Sequence, residues 1–93
     1  MSYEVEYHHL VVRDDIPKLD HVVKLRIKSA IERKLMTQPE IFGVPLRHST
    51  RGHRKLRVGD HRVVFRIEGM KVQVIIIQHR SVVYKMLADR LIR

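Results

Sequence analysis

The shortages in this sequence are informative: it has no cysteine, little glycine and proline, few aromatic residues and few acidic residues. Because cysteine is absent, disulfide bridges and thiolate chemistry are excluded. With 44% hydrophobic residues, 4 Gly, 3 Pro and no low-complexity segment, the chain is not of the disordered type and can bury one modest core. We therefore predict a single domain that spans residues 1–93.

Long hydrophobic runs are also missing. The longest run, residues 74–77, is far too short to cross a bilayer. The N-terminus is not typical of a signal peptide, because Glu4 and Glu6 precede any apolar run. We expect a cytoplasmic protein with no membrane partner.

Negative charge is scarce, since 10 acidic residues stand against 19 basic ones and the formal net charge is +9. Such an excess predicts a polyanionic partner, and RNA, DNA, a ribosome surface and an acidic protein all qualify. The alternative is a basic domain that its charge merely keeps in solution. The density of arginine in residues 53–66 favours a specific partner.

The N-terminal half is patterned as a strand followed by helices. Residues 3–7 alternate apolar and charged side chains, which is the period of a half-buried strand. Residues 8–18 are predicted to be helical, with Pro17 either in a first helical turn or after a short helix. Asp20 is a candidate N-cap, and the helix that follows ends at Gln38 and Pro39. Its apolar residues recur at spacings of three and four: Val23, Ile27, Ala30, Ile31 and Leu35.

The C-terminal half is patterned as strands and a final helix. The predicted strands are residues 46–48, 54–58, 62–67 and 71–79. The last of them is almost continuously apolar, as in strands that are covered on both faces. The final helix spans residues 82–93. We predict an α+β domain with an N-terminal strand, one or two helices packed on an antiparallel sheet of three to four strands, and a short C-terminal helix.

Gly59 and Asp60 predict a two-residue hairpin turn, of type II′ because glycine comes first. In the register that this turn sets, Arg57 lies opposite Arg62. One face of the hairpin then carries basic side chains: Lys55, Arg57, Arg62 and Arg66. The other face carries the apolar side chains of the core: Leu56, Val58, Val63, Phe65 and Ile67.

The basic face is expected to bind an anion, because like charges directly opposite each other are unfavourable without one. Neutralisation by Asp60, Glu68 or a carboxylate from a helix is the alternative. The loop at Gly69 decides what the last strand adds. A three-residue loop would bring Gln78 and Arg80 to the basic face, whereas a two-residue loop would bring His79 there.

Three motifs stand in order along the chain: GVPLR at residues 43–47, LRVGDHRVVF at residues 56–65 and HRSVVY at residues 79–84. Together they resemble the segments of the RelE/ParE superfamily, the toxins of type II toxin–antitoxin systems. The resemblance covers nearly the whole chain and implies the RelE-like microbial RNase fold. Members that resemble RelE are metal-independent endoribonucleases that cut mRNA in the ribosomal A site. Each is held inactive by an acidic antitoxin.

The resemblance implies a catalytic set. Lys55 matches the basic residue that helps to activate the 2′-hydroxyl, and Arg62 matches the arginine that stabilises the scissile phosphate. Arg80 matches the arginine that protonates the leaving oxygen or holds the phosphate. Tyr84 matches the tyrosine on which a base stacks.

Other residues are predicted to bind RNA or to exchange protons. Arg47 and Arg57 match basic positions of the RNA-binding face, and we add two further arginines of the strands, Arg54 and Arg66. His61, which stands where the family usually has tyrosine, and His79 are alternative acid–base groups, because histidine titrates near neutrality.

No metal and no cofactor are predicted. His8 and His9 are expected to point to opposite faces of a strand and so not to bind one metal ion. The leading hypothesis is therefore a toxin that cleaves mRNA on the ribosome and has an acidic antitoxin as partner. The alternatives are a ParE-like toxin, which inhibits DNA gyrase without being a nuclease, and a non-toxic basic module that binds nucleic acid.

Overall fold

The computed structural model describes residues 2–47, 49 and 51–92, and they form a five-stranded mixed sheet in the order β1-β5-β4-β3-β2. The strands are β1 (Glu4–Tyr7), β2 (Val44–Pro45), β3 (His53–Val58), β4 (His61–Glu68) and β5 (Lys71–His79). The predicted α+β class is confirmed, but the sheet is larger than expected. It gains β1, which pairs parallel to β5, whereas the other neighbouring strands are antiparallel.

Helical segments lie between β1 and β2 and after β5. After β1 come a π-helical turn (Val11–Asp15) and a 3-10 turn (Ile16–Lys18), which confirm the helical prediction for this region. Helix α1 (His21–Ala30) continues as a π-helical turn (Ile31–Leu35), and α2 (Pro39–Phe42) and α3 (Val83–Ile92) follow. Asp20 caps α1 as predicted, since its Oδ1 accepts the Val23 N–H at 2.9 Å. None of the helices in the described part of the chain has the length and hydropathy of a membrane span.

The sheet is buried on both faces, but by different elements. On one face, the apolar stripe of α1 packs against a core that includes Leu56, Val63 and Phe65, as the sequence predicted. On the other face, Val64 and Ile76 pack under side chains of α3. Because β4 and β5 lie inside the sheet and are covered on both sides, their sequences are nearly continuously apolar.

The β3–β4 hairpin has the predicted register, with Arg57 opposite Arg62 across a two-residue turn. Gly59 takes a positive φ of 59°, which a primed turn requires and which glycine adopts without steric cost. The short strand predicted at residues 46–48 is wrong. The strand that pairs with β3 is β2, and residue 48 lies outside the described part of the chain.

A β-bulge changes the position of β5 relative to the basic face. The β4–β5 loop has two residues, but the pairing register shifts by one residue between Val64 and Phe65. Gln78 therefore lies opposite Arg62. The expectation that a two-residue loop would bring His79 to the basic face is wrong. The one-residue shift at the bulge has the same effect on the end of β5 as a third loop residue would have.

A buried ion pair closes the edge of β5 beyond the end of β1. The Asp15 carboxylate accepts the Ile77 N–H at 2.9 Å and the Gln78 side-chain amide at 2.9 Å. Arg90 of α3 donates to both Asp15 oxygens, at 2.7 and 3.0 Å, and to the Ile75 carbonyl at 3.0 Å. The two charged side chains are 0% and 6% exposed. They satisfy backbone groups that a further strand would otherwise pair, and they tie α3 to the sheet.

Candidate functional site

Three basic side chains of the β3–β4 hairpin lie on the sheet face that also carries α3. We call them the basic row: Lys55, Arg57 and Arg62. Arg57 of β3, Arg62 of β4 and Gln78 of β5 lie side by side. Lys55 is on the same face of β3 and is a diagonal neighbour of Arg62, which corresponds to about 7–8 Å in an antiparallel sheet. Within the described residues, no carboxylate is at ion-pair distance from Lys55, Arg57 or Arg62. The basic row is therefore open to an external anion.

Two arginines converge on the hairpin turn. Arg62 Nη1 donates to the carbonyls of Gly59 and His61, at 3.1 and 2.9 Å, which orients its guanidinium. The backbone N–H of Arg80 donates to the Asp60 carbonyl at 2.8 Å. The side-chain Nε of Arg80 lies 3.7 Å from Asp60 Oδ1. Both partners of this ion pair are largely exposed, so it contributes about 0–1 kcal/mol and a phosphate can replace it.

Lys55 and Tyr84 meet where α3 begins. The Lys55 Nζ lies 5.7 Å from the centroid of the Tyr84 ring, which is a cation–π distance. Tyr84 is 43% exposed and so is not a core tyrosine. Its ring faces solvent beside the basic row, where an unpaired base can stack on it.

An open groove of about 740 Å³ runs beside Lys55 and Tyr84, between α3 and the segment 44–53. Its apolar lining comes from both sides: Val44, Pro45, Leu46, Leu87, Ala88, Leu91 and Ile92. Two arginines add positive charge to it, Arg47, which was predicted, and Arg51, which was not. Arg51 lies just before the arginine-rich hairpin, and this position in the sequence could have identified it as a groove residue.

Arg54 does not join the basic row. In the register of the hairpin it lies opposite Phe65, on the face that packs against α1. Its Nη1 donates to the carbonyls of Gly43 and Glu40, at 3.0 and 3.3 Å. Arg54 therefore holds the end of α2 to the sheet, and its predicted contact with RNA is not supported by its position.

Arg66 shares the face of Arg62 but is kept apart from it. The buried Val64, which α3 covers, stands between them on β4. Arg66 Nη2 donates to Glu68 at 2.6 Å and to Gln73 at 3.5 Å. Of the carboxylates proposed as neutralising partners, Glu68 thus neutralises Arg66 alone.

The two histidines predicted as acid–base groups lie on the opposite face of the sheet. His61 and His79 pair across β4 and β5, with ring centroids 5.6 Å apart, in a recess that Val23 and Arg26 of α1 also line. Burial, and next the charge of His79, lowers the pKa of His61. The structure therefore does not bring either ring to Lys55 and Arg62.

The prediction that His8 and His9 point to opposite faces of a strand is wrong. Their rings do not point to opposite faces but stack, with centroids 4.4 Å apart. The reason is that β1 ends at Tyr7 and a helical turn begins at His9, so the alternation of a strand no longer applies.

Comparison with known proteins identifies the family. Residues 4–84 match the family described as the ParE toxin of the type II toxin–antitoxin system parDE. The fold is similar to that of the RelBE2 toxin–antitoxin complex from Mycobacterium tuberculosis, with a TM-score of 0.77 and 26% identity over 86% of this chain and 100% of that chain. A mutant of the Escherichia coli toxin RelE in the free state gives a TM-score of 0.70 and 23% identity over 97% and 98% of the two chains.

A third similar structure is that of Escherichia coli YafQ, with a TM-score of 0.59 and 14% identity over 88% of this chain and 98% of that chain. No curated protein matches the sequence. The family match covers most of the chain, and the similar structures share its fold. The chain therefore belongs to the ParE toxin family of type II toxin–antitoxin systems, within the RelE/ParE superfamily.

Proposed function

We propose that this toxin is an endoribonuclease that cleaves mRNA on the ribosome and thereby inhibits translation. The observation that carries the proposal is the basic row without carboxylate partners, flanked by Arg80 and by the exposed ring of Tyr84. RNA offers both chemical groups that this arrangement fits, a phosphate and an unpaired base.

The arginines supply electrostatic stabilisation. RNA cleavage by the 2′-hydroxyl passes through a crowded phosphorane whose negative charge needs fixed donors. In the described part of the chain, the bonds of Arg62 to the turn use Nη1, which leaves Nη2 and Nε to donate to a phosphate. Arg80 supplies a second guanidinium once the phosphate replaces Asp60.

Lys55 and Tyr84 act on the nucleotide beside that phosphate. Lys55 stands on the same face as Arg62, where it helps to activate the 2′-hydroxyl. Tyr84 holds an unpaired base by stacking, which is worth about 1–3 kcal/mol per base. Proton transfer by a positioned side chain contributes roughly 10²–10⁴-fold in rate. Such a modest contribution suits a site that the ribosome completes.

An acidic antitoxin is the proposed protein partner. The similar structures include complexes of RelE toxins with RelB antitoxins. The groove beside Tyr84 combines apolar side chains with Arg47, Arg51 and Lys55, and this combination fits a segment that is both apolar and acidic.

The proposal is tested by expressing the toxin and mapping the 5′ ends of translated mRNA. We expect new ends in translated regions, together with growth arrest, and we expect Arg62→Ala and Arg80→Ala to abolish both. Arg66→Ala is the matched control, because it removes the same charge from an arginine that is already paired. If cuts are absent, or if they survive both substitutions, the nuclease proposal fails.

A second candidate function follows from the matched family, which is that of ParE. Toxins that resemble ParE inhibit DNA gyrase and are not nucleases. A supercoiling assay with the purified toxin decides between the two. Inhibition at stoichiometric amounts that survives Arg62→Ala would favour the gyrase candidate.

A further inference from the structure

The sheet has a second basic groove, on the face opposite Tyr84. It lies between the hairpin and the helix formed by α1 and its π-helical turn, and its volume is about 420 Å³. Four positively charged residues line it: Arg26, Arg33, Lys34 and Arg57. No acidic residue is part of this lining. We refer to it as the helix-side groove.

The positive charges of the helix-side groove are not neutralised. Within the described residues, none of the four has a carboxylate at ion-pair distance. Arg33 Nε donates to the neutral Ser29 hydroxyl at 3.1 Å, and the Lys34 Nζ lies 5.5 Å from the centroid of the Phe42 ring. Positive charges gathered in one groove repel each other, and an anion bound among them relieves that repulsion.

One of these arginines reaches the hairpin turn. The Arg26 guanidinium lies against Gly59, with its nitrogens 3.5–3.6 Å from the position that a Cβ would occupy. Arg26 therefore reaches from α1 to the same turn whose carbonyl oxygen accepts a hydrogen bond from Arg62 on the other face. Both basic surfaces therefore border this turn.

Arg57 belongs to both surfaces. It lies opposite Arg62 in the basic row, and it also lines the helix-side groove. Strand β2 pairs only with residues 54 and 55 of β3, so in the described part of the chain residues 56–58 form an open edge. A bound strand can pass around this edge from one face to the other without crossing a covered surface.

We propose that the helix-side groove binds the phosphate backbone of the RNA strand as it continues beyond the basic row. This inference rests on the proposed function, because it takes the RNA at Lys55 and Arg62 as the strand that continues. Guanidinium groups suit phosphate, since each can donate two parallel hydrogen bonds. A peptide that is both acidic and apolar, as proposed for the antitoxin, fits less well, because it also needs apolar contacts. Those contacts are concentrated in the groove beside Tyr84.

The test compares two double variants of one helix. Arg26→Gln with Arg33→Gln removes two charges from the groove, and Lys24→Gln with Lys28→Gln removes two exposed charges of α1 that do not line it. Binding of a 2′-O-methyl RNA oligonucleotide, which the toxin cannot cleave, is measured by fluorescence anisotropy over a range of salt concentrations. The slope of log K against log salt is negative. Its magnitude should decrease by about 1.4 for the groove variant, because each lost phosphate contact accounts for about 0.7. The control should keep its slope.

Several results would overturn the inference. Equal changes in the two double variants, or no change in either, would show that the groove holds no phosphate. Weaker binding of poly-glutamate by the groove variant, with an unchanged RNA slope, would assign the groove to an acidic peptide. Should the double variant fail to fold, Arg26→Gln alone must lower the slope by about 0.7.

The outcomes also separate this inference from the proposed function. If mRNA is cut in a way that depends on Arg62, but the salt slope of the groove variant is unchanged, the groove inference is wrong and the nuclease proposal stands. If the toxin cuts no mRNA but the groove variant has a shallower salt slope, the groove is a nucleic-acid site and the nuclease proposal is wrong.

Discussion

Arg90 and Arg62 are the same residue type in opposite situations. Arg90 is buried at the edge of β5 and donates to both oxygens of Asp15 and to a backbone carbonyl. Arg62 lies in the basic row, and among the described residues its side chain donates to backbone carbonyls alone, through Nη1. The difference teaches that a guanidinium with complete partners maintains the fold, whereas one without a carboxylate partner is available for a ligand.

The largest effect should come from breaking the buried pair. Asp15→Ala leaves Arg90 buried without its carboxylate and leaves the Ile77 N–H without its acceptor. We expect unfolding free energy to fall by about 3–5 kcal/mol, measured by urea denaturation. Replacing both partners, Asp15→Leu with Arg90→Met, should restore part of this loss, because no unpaired charge is then buried. A loss below about 1 kcal/mol in the single variant would mean that water reaches the pair and that the comparison is wrong.

A smaller effect is expected where the side chain serves the ligand. Tyr84→Ala should weaken binding of single-stranded RNA by about 1–3 kcal/mol, since it removes a stacking surface. Tyr84→Phe keeps the ring and should bind normally. Because the ring is exposed, it contributes little to core packing, and both variants should unfold at the same urea concentration as wild type. Equal loss of binding in the two variants would show that the hydroxyl, and not stacking, is what matters.

The smallest effect concerns a buried histidine, His53. Burial, and next the nearby Arg66 and Arg51, lowers the pKa of His53, whose ring contacts Ser49 at 3.0 Å. The unfolded chain therefore takes up the proton first. Stability should be complete above about pH 6.5 and should fall as the pH drops through the lower pKa of the folded state. Urea denaturation between pH 7.5 and pH 5.5 should show a weaker pH dependence for His53→Gln, and an unchanged dependence would contradict this account.

The hairpin could be predicted because its information is local. Gly59 and Asp60 set the turn, and the alternation of apolar and basic residues sets the two faces. The same alternation places Arg54 on the core face, and the prediction that it contacts RNA overlooked this. The motifs of the resemblance named Lys55 and Tyr84 as members of one catalytic set, and the structure places the lysine over the ring.

Other features could not be predicted because their partners are distant in sequence. Asp15 and Arg90 are 75 residues apart, and no local pattern links them. The parallel pairing of β1 with β5 also joins strands that are far apart in sequence, as in the pair of Glu4 and Lys71. The bulge of β5 falls among consecutive isoleucines, where a shift of one residue leaves the apolar pattern unchanged.

The most direct test of the comparison measures chemistry and stability on one variant. Arg62→Ala is compared with wild type in single-turnover cleavage of ribosome-bound mRNA and in urea denaturation. We expect cleavage to fall roughly 10²–10³-fold, the cost of losing one donor to a developing charge, while unfolding free energy changes by less than about 0.5 kcal/mol. Cleavage at the wild-type rate, or a loss of cleavage that merely follows a loss of folded protein, would contradict the account.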